Sequence, residues 1–392
     1  MILQVRGFEK KIIFLFMLTA FFPYVKLLPF EIGSDLQPYA LIFSMLLFVL
    51  VDKTLPKEML FLLLIALEGT LVFFSSNIGL NEIRSLSSYW SLFLIAFATY
   101  SILKKYKSDV TQIVQLLILL YFLIGTIQFL FDKSFLTFLT HDWRTTDNRG
   151  VTNLMVEPTY YAIFCLLGCF IAYELKLRKR YIFLLVFQIL IFSKSSMIIG
   201  LLLLFLVLRV IFLRFSWKEA LFMLSFFSCL AIVTIAYQST LMHLRITEII
   251  FLFIESPSDI IMLDQSINER LVHLFFSIHG WITNLLIFPN GFSMFGYYLT
   301  ENIPNYSEYF IVKNYGEEGA RIMSGYGAIL FELGIGGTLL IGYIWYIQTT
   351  LFYPKYLKLF FVFFMLTAVP LSIPLVGVYI GLLQYNRTFR EK

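Results

Sequence analysis

The sequence predicts an all-α membrane protein that crosses the bilayer many times. Of its 392 residues, 59% are hydrophobic and only 14% are charged, whereas soluble domains carry about 25% charged residues. Its apolar residues fall in runs close to the roughly 20 residues that a helix needs to cross a bilayer. Its basic residues are scattered between these runs as topology signals, which argues against nucleic-acid binding. We therefore expect a single integral membrane domain over residues 1–392.

The charges between the apolar runs predict 12 spans. With the N-terminus inside, the segments predicted to lie inside hold 20 of the chain's 30 Lys and Arg residues, as the positive-inside rule requires. The last apolar stretch, 359–385, is interrupted by Pro370 and Pro374. The basic tail after it lies inside only if this stretch forms two short spans, and 11 spans with the tail outside is the alternative. The other spans are predicted at 12–30, 36–51, 59–75, 87–103, 110–131, 158–175, 181–193, 196–213, 219–238 and 324–350.

Two of the segments predicted to lie outside are long. They cover residues 132–157 and residues 239–322, and the second has 84 residues. Connections between helices usually have about 2–8 residues, and longer ones are usually functional. Within the second loop, 239–263 and 268–288 show apolar residues at helical spacing with charges between them. We expect these stretches to form amphipathic helices on the outer face.

The stretch NRGVTNLMVEPTYY places an arginine and a glutamate at the predicted outer entrance of a span. Pro158 suits the first turn of a helix, and Glu157 before it favours the positive end of that helix. One interpretation is therefore a capped helix end with Arg149 in a solvated loop. The other is a carboxylate held near Arg144 and Arg149 that takes a proton from a sugar hydroxyl.

Further cations lie in or beside the loops predicted outside. Arg245, Arg270 and Arg321 belong to the second long loop, and Lys194 occupies a tight outside turn. Each is either a solvated charge or a group that binds a phosphate, for which a guanidinium is well shaped.

Two carboxylates, Glu68 and Glu332, fall within predicted spans, where a charge is costly and often functional. The three cysteines lie in apolar runs without metal-ligand spacing, so neither a metal site nor a disulfide framework is expected. No nucleotide-binding motif is present. The four histidines are interpreted as surface or substrate-contact residues, and they are His141, His243, His273 and His279.

This arrangement resembles the bacterial O-antigen polymerase and ligase superfamily, and within it the Wzy-type polymerases. The resemblance rests on the many spans, the Glu-Pro-Thr at 157–159 that opens a middle span, the Ser-Lys turn at 193–194, and an arginine in a large outside loop. Arg270 and Leu274 match the Arg-x-x-x-Leu of the superfamily's ligases. The implied fold is that of a GT-C-like membrane glycosyltransferase.

A second ligase motif is matched in part. Ser324, Gly334 and Gly337 occupy its polar and glycine positions, but Met323 stands where the ligases have a histidine. Methionine cannot accept a proton, so the resemblance favours a polymerase. A ligase, a polysaccharide flippase or other transporter, and a non-catalytic scaffold are the alternatives.

The resemblance implies glycosyl transfer at the outer face of the bacterial inner membrane, with both termini cytoplasmic. The substrates would be oligosaccharide repeat units linked to undecaprenyl pyrophosphate, and the enzyme would need no cofactor or metal. A chain-length regulator and a flippase are implied partners. Glu157 would be the base, with Arg149 and Arg270 binding pyrophosphate. Further substrate contacts would come from cations and aromatic rings, namely Lys194, Arg245, Arg321, Arg144, Trp143, Tyr160, Tyr161, Tyr326 and Trp281.

Overall fold

Helices connected by turns and loops make up the fold in the residues that the structure, a computed structural model, describes. These residues are 2–26, 36–51, 55–76, 79–140, 143–145, 149–212, 260–263, 265–311, 321–348, 354–367 and 369–390. The helices are α1 (Ile2–Phe21), α2 (Tyr39–Leu50), α3 (Leu60–Ser75), α4 (Leu80–Leu130), α5 (Pro158–Glu174), α6 (Lys179–Phe187), α7 (Ser196–Phe212), α8 (Ile260–Leu263), α9 (Gln265–Thr283), α10 (Phe295–Asn302), α11 (Gly325–Leu333), α12 (Ile335–Ile347), α13 (Lys355–Leu366) and α14 (Pro374–Arg390).

The first predicted span corresponds to α1, with a change of bounds. The helix begins about ten residues before the predicted span 12–30 and ends at Phe21, just before Pro23. After it, the backbone N–H of Lys26 donates to the carbonyl of Leu139 at 2.8 Å. The end of α1 is thereby tied to the first long loop. The predicted span 219–238 lies outside the described residues.

Helix α4 contains the two spans predicted on either side of 104–109. Within that segment Tyr106 departs from helical geometry, with φ −132° and ψ 35°, and two helices join there across a kink. The kink therefore divides α4 where the charges predict a boundary. Glu9 of α1 accepts hydrogen bonds from the side chains of Lys105, at 3.1 Å, and Tyr106, so a carboxylate is anchored at the kink.

The entrance of α5 is built as its sequence predicts. Pro158 occupies the first turn, and Glu157 precedes it with extended backbone, φ −142° and ψ 153°. The ring of Pro158 is compatible with this position because the first N–H groups of a helix have no partner within the helix. The Glu157 side chain makes no capping hydrogen bond, so the proline and the backbone direction define this helix end.

The predicted span 324–350 is divided into α11 and α12. Gly334 lies between them with φ +56° and ψ −118°, a conformation that side chains with a Cβ rarely adopt. The loop after α9 docks on this break, because Ile335 N–H donates to the carbonyl of Ile287 at 3.0 Å and Asn290 N–H donates to that of Phe331 at 3.0 Å.

The predicted amphipathic helix over 268–288 is present as α9. Its apolar side buries Val272 and Phe276 against Phe295 of α10 and Phe331 of α11. This small cluster is separate from the main hydrophobic core. Helix α9 is thereby held over the break between α11 and α12. The other predicted amphipathic stretch, 239–263, lies almost wholly outside the described residues.

The last apolar stretch consists of two helices, α13 and α14. The side chain of Lys358, early in α13, lies 5.5 Å from the ring of Trp345 near the end of α12. Arg387, late in α14, donates to the carbonyl of Tyr346 at 3.1 Å. The start of α13 and the end of α14 therefore meet at the same end of α12, and the two helices run in opposite directions.

Segments that are predicted to lie inside come together at one end of the helical bundle, which we call the basic end. Lys10 pairs with Asp109 at 3.0 Å, and Lys107 lies 5.3 Å from the ring of Tyr385. Asn386 donates to the carboxylate of Glu174, at the end of α5, at 2.6 Å. The N-terminus, the kink of α4 and the C-terminal helix thus share this end.

Only α4, among the described helices, is both long and apolar enough to cross a membrane by itself. The apolar helices α2, α3, α5, α7 and α12 are shorter, at 12 to 17 residues. The helical fold agrees with a membrane-associated protein, since a helix satisfies its backbone hydrogen bonds internally.

Candidate functional site

A cavity of about 530 Å³ lies at the end of the bundle opposite the basic end. This volume is within the range of roughly 300–1,000 Å³ that is usual for small-ligand sites. Segments that are far apart in sequence line it, and all of them except Tyr24 belong to or adjoin a region predicted to lie outside. They are Tyr24, Leu36, the first turns of α4, Tyr160 of α5, 269–273 of α9, 291–295, 321–332 and the turn 370–372.

Two arginines and two glutamates line this cavity. Arg84 comes from α4, Arg321 from the segment before α11, Glu269 from α9 and Glu332 from α11. Arg84 is half-buried and Arg321 is exposed. Two guanidinium groups from separate elements thus face one space together with two carboxylates. Such a space can hold an anionic group and also offers a group that takes up a proton.

The first turns of α4 present a polar stripe to the cavity. Asn81, Arg84, Ser85 and Ser88 are spaced by three, one and three residues, and all four line the cavity. Residues with this spacing lie on one face of a helix. The stripe is visible in the sequence NEIRSLSSYW, but our sequence interpretation did not use it. Polar residues at helical spacing before an apolar run are the signal that identifies it.

Glu332 is held in the cavity wall by two hydroxyl groups of α4. Tyr89 donates to its Oε2 at 2.7 Å and Ser85 donates to its Oε1 at 3.4 Å. Tyr89 is almost fully buried, and its ring packs in a stacked arrangement 5.8 Å from that of Phe292. The carboxylate is therefore oriented by side chains that are themselves fixed by packing.

His273 of α9 is buried beside the cavity, with 4% of its surface exposed. The backbone N–H of Met323 donates to its Nδ1 at 3.3 Å. A neutral imidazole that accepts at Nδ1 carries its proton on Nε2. Burial lowers the pKa of His273 to about 4, so the side chain is neutral at pH 7.

We predict that His273 contributes to the pH dependence of stability. Because its folded pKa lies below the ordinary value of about 6.5, the unfolded chain takes up the proton first, and stability falls as the pH decreases from 6.5 towards 4. Between pH 7 and pH 5, the wild type should lose about 2 kcal/mol more than His273→Gln. Thermal unfolding of the detergent-solubilised protein at both pH values measures this difference, and equal losses would contradict it.

Of the predicted site residues, Tyr160 and Arg321 line the cavity. The ring of Tyr160 lies 5.6 Å from that of Tyr24, which also lines it, so an aromatic pair forms part of the wall. Arg270 does not line the cavity. It is half-buried and follows Glu269, which does. Arg245, and with it His141 and His243, lies outside the described residues.

Glu157 and Arg144 form an ion pair at the entrance of α5. Arg144 Nη1 lies 3.8 Å from Glu157 Oε1, and the Arg144 N–H donates to the carbonyl of Val156 at 2.8 Å. The pairing of Glu157 with a nearby arginine agrees with the sequence interpretation. Neither residue lines the cavity.

A separate group of cations, which we call the basic patch, consists of Lys133, Arg149 and Lys194. The Val151 N–H donates to the carbonyl of Phe192 at 2.9 Å, so the segment containing Arg149 lies against the Lys194 turn. Lys133 Nζ donates to the carbonyl of Arg149 at 3.0 Å. Arg149 and Lys194 are exposed. The basic patch is separate from the cavity lining.

The remaining aromatic candidates have other environments. Tyr326 is 1% exposed and does not line the cavity, and buried Tyr161 donates to Gln188 Oε1 at 2.7 Å. Trp143 is 39% exposed and donates to Thr152 Oγ1 at 3.1 Å. Trp281 donates to the carbonyl of Leu286 at 3.1 Å. None of these rings is a wall of the cavity.

The partly matched ligase motif supplies structural residues next to the cavity. Ser324 caps α11, because its Oγ accepts the Gly327 N–H at 2.9 Å. Gly334 provides the break after α11, and Gly337 permits close packing, since an added Cβ would overlap the carbonyl of Ile329. Met323 lines the cavity next to His273.

No family model, no curated protein sequence and no solved structure matches the chain. The function is therefore inferred from the geometry of the cavity and from the sequence pattern.

Proposed function

We propose that the protein is a membrane-embedded polysaccharide polymerase that joins repeat units linked to undecaprenyl pyrophosphate. One observation carries the proposal. The cavity brings Arg84, Arg321, Glu269, Glu332 and Tyr160 together at the end of the bundle where the segments predicted to lie outside meet.

The chemistry of glycosyl transfer from a lipid pyrophosphate fits this set of residues. Arginines stabilise the charge that develops on a departing pyrophosphate. A carboxylate takes the proton from the attacking sugar hydroxyl. Tyrosine rings such as Tyr160 and Tyr24 provide an apolar surface with a polar edge against a sugar ring. The pyrophosphate is itself the leaving group, so the reaction requires no nucleotide site, metal or cofactor.

The proposal includes an inner-membrane location with 12 spans and both termini cytoplasmic. The basic end would face the cytoplasm, as the positive-inside rule describes. The cavity end would face the compartment in which flipped, lipid-linked units arrive. A flippase that delivers these units and a chain-length regulator that limits their joining are the proposed partners. The basic patch of Lys133, Arg149 and Lys194 would lie at the outer lipid surface.

Cysteine labelling tests the 12-span arrangement. In a background without the three native cysteines, we predict that Ser372→Cys, in the turn between α13 and α14, reacts in intact cells with a membrane-impermeant maleimide. Thr388→Cys, near the end of α14, should react only after the membrane is opened. Labelling of Thr388→Cys in intact cells would support 11 spans and contradict this topology.

The activity itself is tested by deleting the gene and examining surface polysaccharide on a gel. For a polymerase, the ladder of chain lengths should collapse to a single repeat unit, because units are still made, flipped and attached but no longer joined. Restoration of the ladder by the wild-type gene is the control. An unchanged ladder would contradict the proposal.

A ligase that transfers the finished polymer to lipid A core is the second candidate. The observation in its favour is that His273 lies against Met323, the position at which ligases of the resembling superfamily have a histidine. Accumulation of lipid-linked polymer in the deletion strain, with no repeat unit at the surface, would favour the ligase.

A further inference from the structure

Glu332 differs from the other carboxylates near the cavity in how it is held. Each of its oxygens accepts a hydrogen bond from a hydroxyl group of α4, one from Tyr89 and one from Ser85. A carboxylate oxygen has two lone-pair sites, so each oxygen keeps further accepting capacity. The side chain is half-buried and lines the cavity, which is the space where a substrate hydroxyl would approach it.

The positions of its partners on α4 also favour Glu332 as the group that accepts a proton. Tyr89 and Ser85 are four residues apart on α4, one turn of the helix, and both face Glu332. Arg84, on the same helix, also lines the cavity. A single rigid helix thus positions the carboxylate and presents a guanidinium to the same space. Groups held in this way lose little freedom when a substrate binds.

Two other glutamates are less suited to accept a proton from a substrate hydroxyl. Glu157 is paired with Arg144 and does not line the cavity. Glu269 lines the cavity from α9, but no hydroxyl pair of the kind that orients Glu332 is found on it in the described structure.

We propose that Glu332 is the general base of the transfer step and that Tyr89 is its positioning residue, an inference that rests on the proposed function. The acceptor hydroxyl oxygen forms a bond to the anomeric carbon of the donor glycan, and its proton passes to the Glu332 carboxylate. The bond between the anomeric carbon and the pyrophosphate oxygen breaks, and its electron pair leaves with undecaprenyl pyrophosphate. Deprotonation of Glu332 by water restores the site.

The test uses the full-length protein in proteoliposomes, with lipid-linked repeat units extracted from the deletion strain. Glu332→Gln should lower kcat by roughly 10²–10⁴-fold, the usual contribution of a general base, with a KM close to that of the wild type. The amide oxygen of glutamine still accepts the Tyr89 hydrogen bond, so the variant should keep the wild-type melting temperature. In a pH–rate profile, kcat of the wild type should also fall at acid pH. The profile of Glu332→Gln should lack this decrease.

Three further variants complete the design. Glu332→Asp, which withdraws the carboxylate by one methylene, should retain a kcat above that of Glu332→Gln but at least about tenfold below the wild type. Tyr89→Phe should lower kcat about tenfold with little change in KM, because it removes one orienting donor. Glu301→Gln, at an exposed glutamate of α10, should leave kcat unchanged.

The outcomes separate this inference from the proposed function. Normal kcat for Glu332→Gln, with Arg321→Ala inactive, overturns the role of Glu332 and leaves the polymerase in place. Absence of polymerisation by the wild-type protein removes both. If Glu332→Gln does not fold, wild-type kcat for Glu332→Asp overturns the role of Glu332, and wild-type kcat for Tyr89→Phe overturns the positioning role.

Discussion

Replacing Arg321 by alanine is expected to lower polymer formation by roughly 10²–10³-fold, the usual cost of removing one group that stabilises transition-state charge. Arg321 lines the cavity together with Arg84, and a guanidinium there would contact the departing pyrophosphate. The measurement is kcat/KM for polymerisation in proteoliposomes. Arg321→Lys should recover only part of the activity, because lysine keeps the charge but lacks the bidentate geometry.

A matched control comes from the opposite end of the bundle. Arg178 is exposed and precedes α6, so Arg178→Ala removes one arginine without changing the cavity and should keep wild-type activity. Wild-type kcat/KM for Arg321→Ala, at a normal protein level, would exclude Arg321 from the site. Comparison with Arg149→Ala would also show whether Arg149 takes part in the reaction, as the sequence interpretation predicts.

Replacing Gly334 by alanine is expected to destabilise the protein by about 3 kcal/mol or more. Gly334 has φ +56°, and an added Cβ would overlap the backbone of Ile287 and Phe288. The break between α11 and α12 would have to move, and with it the loop that docks there. A lower apparent melting temperature and reduced accumulation in the membrane are the measurable results.

Gly342 provides the control for this substitution. It lies in α12, and an added Cβ there would meet no atom within 4 Å. Because alanine is favoured over glycine by about 1 kcal/mol within a helix, Gly342→Ala should leave the melting temperature unchanged or raise it. Equal melting temperatures for Gly334→Ala and the wild type would show that the chain tolerates a side chain at the break.

Local features of the fold were predictable from the sequence. Pro158 marks the start of α5 because its ring suits a first helical turn. The spacing of apolar residues over 268–288 predicted α9, whose buried face includes Val272 and Phe276. Pro370 and Pro374 marked the separation of α13 from α14. In each case a short stretch of chain contains the whole physical reason.

The charges at 104–109 also marked a boundary, because α4 consists of two helices that join across a kink at Tyr106. The break at Gly334 in the run 324–350 was not predictable in the same way. The loop after α9 docks there, and hydropathy does not record a partner that is distant in sequence.

The candidate site also contains residues that the sequence identified and contacts that it did not. Arg321 and Tyr160 were identified as exceptional charges or rings at predicted outer segments, and both line the cavity. Arg149 and Lys194 have the same sequence signature, but their segments pack against each other elsewhere. Glu332 was recognised as a costly charge within a span, whereas its partners Tyr89 and Ser85 lie more than 240 residues away in sequence.

Polymerisation by the purified protein in proteoliposomes tests the proposed function most directly. The substrate is the lipid-linked repeat unit that accumulates in the deletion strain, and the product is followed by gel and by release of undecaprenyl pyrophosphate. We expect chains of several repeat units, one lipid pyrophosphate released for each bond formed, and no loss of activity with a metal chelator. Repeat units that remain single with the folded wild-type protein would contradict its function as a polymerase.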